Sequence, residues 1–365
     1  MPINMACWID QPTELERRYQ QRAAELERIG LDTEFIHEST YWPQLALVQM
    51  AVEDDIWLVD PLVPGMNQAL RLWLEDRHLV KIMHSASQDM LVFKHSCNAV
   101  PRPLFDTQIG ATLAGMGSSS YQKLVAQLAN VELHKNQTRS NWLRRPLSAA
   151  QLEYAADDVR YLFVLASAIC ARLQALDRTA WFEEDNQRLL AQSDQDHTDR
   201  LAHLPNNRAA QGMDIAAQMR LLRLLHWREQ HAQQRNLPRN WVIDNELLAT
   251  LARTPPAHFS GLKRLLSTFP KAPRRLAEPL WQALNTPLAD EAHAAHLPAF
   301  IELDKPTLRR MQEAVAQRSA ELGLPEGVLA SRKWLVELLQ SGQWPHALTG
   351  WRKVQLEPVL RPFLP

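Results

Sequence analysis

Two carboxylates spaced two residues apart are the first sign of chemistry in this chain. In Leu31-Asp32-Thr33-Glu34-Phe35 the apolar flanks predict a strand, and residues two apart on a strand share a face. Asp32 and Glu34 would repel each other there, at a cost that a cation removes. Hard divalent ions with oxygen ligands, Mg2+ or Mn2+, suit such a pair. Taken alone, it reads as well as a solvated strand face. A second acid, Asp89, lies in HSASQDMLVF (84–93), in the first turn of a helix expected over Ser87–His95 and opened by a serine cap. A carboxylate is favourable at that end of a helix dipole, so capping competes with a metal role. His84 could be a ligand or a base, although a structural histidine is the commoner case. The third feature is LEYAADDVRYL (152–162). On a helix Tyr154 and Asp158, four apart, share a face, whereas Glu153 and Asp157 share another that reads as solvated. A phenol beside a carboxylate suits holding and polarising a water at a metal. Four carboxylates gathered at one point call for about two divalent ions, and two such ions about 3.5–4 Å apart clamp a phosphodiester for in-line attack by water.

The surrounding pattern supplies elements to position these groups. Met5–Ile9 reads as a short strand and Thr13–Ile29 as a helix. Leu31–Phe35, Leu45–Val52 and Ile56–Asp60 read as three successive strands, Met66–Leu74 as a helix and Lys81–His84 as a strand. From Asp106 to about Ala191 the pattern is almost all helix. Strands in succession followed by strand–helix alternation imply an α/β domain around a mixed sheet. The polar stretch SDQDHTDRLAHLPNNRAAQG predicts a linker over 193–212. Beyond it the chain reads as short helices punctuated by prolines. Residues 235–253 align with 322–340 at a constant offset of 87, with Leu237-Pro238 falling on Leu324-Pro325, which predicts two related helical modules over 213–292 and 293–365.

A chain of 365 residues suits two or three domains. Its net charge of -1 hides an asymmetry: residues 1–208 carry 20 Lys+Arg against 27 Asp+Glu, and residues 209–365 carry 20 against 14. An acidic front and a basic back fit a metal centre in one region and a polyanion grip in the other. Cys7, Cys97 and Cys170 have no paired spacing, which excludes a zinc knuckle and a disulfide framework. The opening MPINMACWIDQP lacks a basic region followed by an apolar run, and no apolar stretch approaches the roughly 20 residues that span a bilayer. The expectation is a soluble cytoplasmic protein with no membrane partner.

The segments 31–51, 84–93, LFDTQIGA (104–111) and WLRRPLSAAQLEYAADDVRYL (142–162) together resemble the DEDD exonuclease superfamily, in its tyrosine-bearing branch. The resemblance covers most of residues 5–190. LHWREQHAQQRNLPRNWVIDNELLATLAR (225–253) resembles the helical HRDC module; the copy at about 295–365 resembles it weakly. The resemblance implies a ribonuclease H-like mixed sheet flanked by helices in an exonuclease domain over 1–192, followed by two small all-α HRDC-like domains. It implies a metal-dependent 3′-to-5′ exoribonuclease that releases 5′-mononucleotides. It further implies RNA partners with a free 3′ end, precursor tRNA foremost, and a monomer. In that reading Asp32 bridges two ions, Mg2+ or Mn2+. Glu34 and Asp158 complete the shell of the first, Asp89 holds the second, and Tyr154 orients the attacking water.

Other residues have weaker claims. Gln44 and His37 could touch the terminal nucleotide, and ordinary loop packing is as good an account. Trp42, beside Tyr41, could stack on a base. Arg144, Arg145 and Lys135 could meet phosphates. GMGSSS (115–120) follows a helix pattern and lacks the third glycine of a phosphate loop. Two rival functions stand beside the leading one: a DNA exonuclease, since the ions see only a phosphodiester, and a noncatalytic nucleic-acid-binding adaptor.

Overall fold

The computed structural model describes residues 6–117, 120–133, 140–194, 208–210, 212–269, 271–294 and 304–364. Six strands, β1 (Cys7–Ile9), β2 (Arg28–Ile36), β3 (Gln44–Val52), β4 (Asp55–Val59), β5 (Val80–Met83) and β6 (Leu104–Asp106), form one sheet in the order β1-β4-β3-β2-β5-β6. β3 runs antiparallel to β2 and β4, and the remaining pairs are parallel. Every residue of β3 after Gln44 is buried, because helices cover both faces of the sheet. On one face α1 (Pro12–Arg22), α2 (Met66–Glu75) and α3 (Ser87–Cys97) close over Leu31, Val48, Met50, Trp57 and Trp73. On the other, α4 (Thr107–Leu113), α5 (Tyr121–Ala129), α6 (Ala149–Arg160), α7 (Leu162–Ala175) and α8 (Thr179–Asp194) contribute to a core with Leu47, Ala51 and Leu58.

Two local expectations shift. The first helix ends at Arg22, not Ile29. Leu26 and Ile29 continue the helical spacing, but Arg28–Gly30 pair with Val80–Ile82 and are drawn into the sheet, a tertiary override of local pattern. β6 ends at Asp106, where the pattern suggested only helix; three residues are too few to display an alternating period.

A second compact unit joins residues 195–302 to the six-residue segment His37–Trp42, which leaves the end of β2. Its helices are α9 (Ile215–Arg235), α10 (Arg239–Val242), α11 (Asn245–Arg253), α12 (Phe259–Thr268) and α13 (Ala277–Asn285), packed through Leu221, Leu225, Leu247, Leu251, Leu262 and Leu280. Tyr41 is buried in this core. Its hydroxyl meets Glu229 and accepts from Arg239 at 2.9 Å and from Gln233 at 3.0 Å. The Asn236 carboxamide oxygen accepts the backbone N–H groups of both Tyr41 and Trp42 at 3.0 Å.

The last helices, α14 (Lys305–Glu321), α15 (Arg332–Ser341) and α16 (Trp351–Leu360), share one unit and one core with the sheet domain. Trp351 stacks on Trp181 at 4.4 Å, Arg352 pairs with Asp185 at 2.8 Å, and Arg188 donates to the Thr349 carbonyl at 2.7 Å. The 87-residue offset survives in backbone detail. α11 and α15 open at equivalent positions, and left-handed residues end the preceding helices at Asn236 (φ 49°) and Gly323 (φ 60°). After each, a leucine N–H turns back to a carbonyl, Leu237 to Ala232 and Leu324 to Ser319, the hydrogen bond of a Schellman ending.

Among the described residues no helix is long and apolar enough to cross a membrane.

Candidate active site

β2 carries the first pair. Asp32 and Glu34 project to the face that α6 covers, while Leu31 and Thr33 turn to the other. The register of β2 against β3 slips between Glu34 and Phe35, a bulge of the kind that re-aims side chains beside active sites. β2 pairs with β5 only through Gly30, so its edge beyond that point is open on this side. The chain leaves β5, turns through Ser85 at φ 60° and enters α3. The first turn of α3 brings Asp89 to that open edge, where the Thr33 hydroxyl donates to it. The site therefore lies at the C-terminal ends of parallel strands, where open α/β sheets bind ligands.

α6 brings the last two groups. Its start is fixed by a reciprocal capping box: Ser148 Oγ accepts the Gln151 N–H at 3.3 Å, and the Ser148 N–H donates to Gln151 Oε1 at 3.0 Å. Ala155 and Ala156, 0% and 1% exposed, let the helix lie close against the sheet. Gly30 lets the start of α7 approach the sheet: a methyl there would stand 3.0 Å from Ala51 Cβ and 3.1 Å from Leu162 Cδ1. Tyr154 and Asp158 are thus turned toward β2, whereas Asp157 pairs with Arg160 at 2.9 Å and Glu153 with the same arginine at 3.1 Å.

Asp32 and Glu34 feel the charges of the other site acids. Burial, then the charges of Asp89, Asp158 and Glu34, hold Asp32 well above the ordinary carboxylate range. Burial, then Asp158 and Asp89, push Glu34 up to about 9. Burial raises Asp89 to about 6, against the stabilising Thr33 hydrogen bond, and raises Asp158 to about 7. Burial and the neighbouring Asp158 keep the Tyr154 phenol well above its usual value. Among the described residues no three His, Cys, Asp or Glu groups make a ready-made cage around one point. The donor set is nonetheless all carboxylate oxygen, which fits a hard divalent ion, and the burial and repulsion that raise all four acids are what such an ion relieves.

The other candidates are placed as follows. Gln44 is exposed at the start of β3, opposite Ile36. His37 is exposed, with Nε2 at 2.9 Å from the Tyr41 carbonyl. Trp42 is half-buried against the core of the second unit, edge-on to Tyr41 at 4.6 Å. Arg145 is committed inside its own domain rather than to solvent. It pairs with both oxygens of Asp60 at 2.8 and 2.7 Å and donates to the Ala46 and Trp142 carbonyls at 2.6 and 2.7 Å. Arg144 is exposed. Lys135 lies outside the described residues. His84 is a structural histidine: the Thr107 hydroxyl donates to the Met83 carbonyl at 3.0 Å and therefore accepts from His84 Nδ1, also at 3.0 Å.

Three supporting residues carried no local signal. Thr33 is one. Tyr121 donates to the Asp157 carbonyl at 2.9 Å and accepts the Tyr161 N–H at 3.2 Å, pinning the end of α6 beside Asp158. Asp106, 1% exposed, replaces the expected serine cap of α3. Ser87 is the first helical residue and Ala86 its uncapped predecessor. The Asp106 carboxylate instead accepts N–H groups from Ser85 and Ala86, at 3.2 and 2.8 Å, and from Gln108 and Ile109, at 2.8 and 3.2 Å. Asp106→Ala strands four backbone donors, the buried Ala86 N–H among them. It is expected to cost about 2–4 kcal/mol in urea unfolding and to lower hydrolysis by loosening the turn that aims Asp89. Unchanged stability would show that the carboxylate is dispensable.

Comparison with known proteins agrees with this geometry. Residues 7–174 match the family model of 3′-5′ exonucleases, and residues 217–284 match that of the HRDC domain. The chain is 53% identical to ribonuclease D of Xanthomonas oryzae pv. oryzae over 361 residues, covering 99% of each. It is 35% identical to ribonuclease D of Pseudomonas paraeruginosa, covering 91% of this chain and 90% of the relative. It superimposes with a TM-score of 0.82 and 25% identity on the crystal structure of Escherichia coli RNase D, an exoribonuclease involved in structured RNA processing, covering 99% of this chain and 100% of that one. The chain belongs to the ribonuclease D family, 3′-to-5′ exoribonucleases of the divalent-metal-dependent DEDD class.

Proposed function

We propose that this chain trims the 3′ ends of precursor tRNA and other small structured RNAs, as a cytoplasmic monomer, with Asp32, Glu34, Asp89 and Asp158 holding two divalent cations and Tyr154 orienting the attacking water. The observation that supports the assignment of residues is that Asp89 and Asp158, from two other segments, act electrostatically on both Asp32 and Glu34, and that burial raises all four acids. When bound, the cations supply charge neutralisation for the phosphodiester and for the oxygen that leaves it. The water oxygen forms a bond to phosphorus and gives up a proton to solvent, the bond from phosphorus to the preceding nucleotide's 3′ oxygen breaks, and that oxygen takes up a proton in exchange. The released nucleotide carries its phosphate on the 5′ oxygen.

Tyr154 works in this scheme as a neutral phenol. Its acidity is weakened by burial and by Asp158, so it keeps its proton through the physiological range and positions the water by hydrogen bonding rather than as a base. Tyr154→Phe is expected to lower the single-turnover rate about 100-fold with little change in RNA affinity. A parent-like rate would remove Tyr154 from the mechanism. The substrate assignment is tested by digesting a 3′-extended precursor tRNA beside an unstructured RNA and a DNA of the same sequence. Preferential trimming of the tRNA extension supports it. Equal rates on RNA and DNA would favour the broader exonuclease reading.

A further inference from the structure

Gln49 sits in the middle of β3, is 0% exposed, and both polar atoms of its carboxamide lack a hydrogen-bond partner. Strand pairing sets it opposite Asp32 on β2 and opposite Leu58 on β4. Residues opposed in an antiparallel pair project to the same face, with Cβ atoms about 4.5–5.5 Å apart. The carboxamide therefore shares with Asp32 the face covered by α6, in a row whose other members near it are Leu47, Ala51 and Leu58. A buried polar group without a partner costs about 1–3 kcal/mol, a cost that a leucine of similar size avoids. Packing alone would favour an apolar side chain. What distinguishes this position from its apolar neighbours is the carboxylate across the strand, within reach of a long side chain that ends in an N–H donor.

We propose that Gln49 is a positioning residue for the metal-binding carboxylates: when a divalent cation binds, its Nε2 group, unpartnered in the metal-free fold, donates to Asp32 and fixes the oxygen that Asp32 presents to the cation. This rests on the reading of Asp32 as a metal ligand. Groups that orient a ligand from behind typically change metal affinity 10- to 100-fold when removed. Gln49 carries no charge, so it can hold Asp32 without competing for it as a counter-ion would.

The test compares the full-length parent with Gln49→Leu and Gln49→Met. Thermal unfolding is followed in chelator, and Mn2+ binding is measured by titration calorimetry. The proposal expects both variants to unfold in chelator at or above the parent's temperature, because an unpaired buried amide has gone. It expects Mn2+ affinity to fall about tenfold or more, with kcat on a short oligoribonucleotide reduced and KM unchanged. Mn2+ affinity within twofold of the parent in both variants would overturn it. So would loss of the native fold in chelator, which would make the carboxamide a packing element. A parent that binds no Mn2+ would instead bring down the metal-site reading on which the proposal stands.

Discussion

Asp32→Asn is expected to lower hydrolysis by about 1,000-fold or more while making the metal-free chain harder to unfold. Asp32 is surrounded by the charges of Asp89, Asp158 and Glu34 and is buried among them. It has the least to gain from staying ionised without a cation and the most to contribute when one is bound. Without a cation the fold holds Asp32 protonated at a pH where the unfolded chain releases that proton, and an amide of the same shape removes this cost. The gain in unfolding temperature follows at roughly 2–4 °C for each kcal/mol of that cost removed. A functional site that strains its own fold predicts this opposition of stability and activity. The measurement pairs a quenched-flow assay on a 3′-tailed RNA with calorimetric unfolding in chelator. An active Asp32→Asn chain, or an inactive one with lowered metal-free stability, contradicts the assignment.

Chelation is expected to abolish turnover and to expose a distinctive pH dependence of stability. Unfolded carboxyl groups titrate near pH 4, whereas in the fold Asp89 titrates at about 6, Asp158 at about 7 and Glu34 at about 9. Between the unfolded and folded values the native chain holds protons that the unfolded chain has released. Stability therefore falls as pH rises through that window, by about 1.4 kcal/mol per pH unit for each proton held. The fall is steepest from about pH 4 to 6, where all three groups contribute, and flattens above 9. A divalent cation displaces those protons, so Mn2+ raises the unfolding temperature little at pH 5 and increasingly above it. Asp158→Asn should shallow the metal-free slope by removing one titrating group. Metal-free stability that rises between pH 5 and 8 would show that the four acids are not repelling one another in the fold.

The parts of the site that the residue pattern revealed are those set by local spacing. Asp32 and Glu34 share a face because a strand alternates, and Tyr154 and Asp158 share one because a helix returns every four residues. The helical repeat was equally legible, since Leu237-Pro238 and Leu324-Pro325 sit at the same helix ending. Partnerships across the sheet were not legible. Thr33 reads as a strand residue until α3 brings Asp89 to its hydroxyl. Asp106 carries no local sign that one of its oxygens holds the Ala86 N–H before α3. Arg145 looked free because its counter-ion, Asp60, lies 85 positions earlier. Tyr41 looked like a loop aromatic because Glu229 and Arg239, which hold it, lie almost 200 positions later.

The most direct test of the four-carboxylate centre is anomalous diffraction from a crystal soaked in Mn2+. Two peaks about 3.5–4 Å apart are expected among the side chains of Asp32, Glu34, Asp89 and Asp158, with the Tyr154 hydroxyl beside them. Saturating Mn2+ that leaves this pocket without a peak, or that binds only elsewhere on the chain, would contradict it.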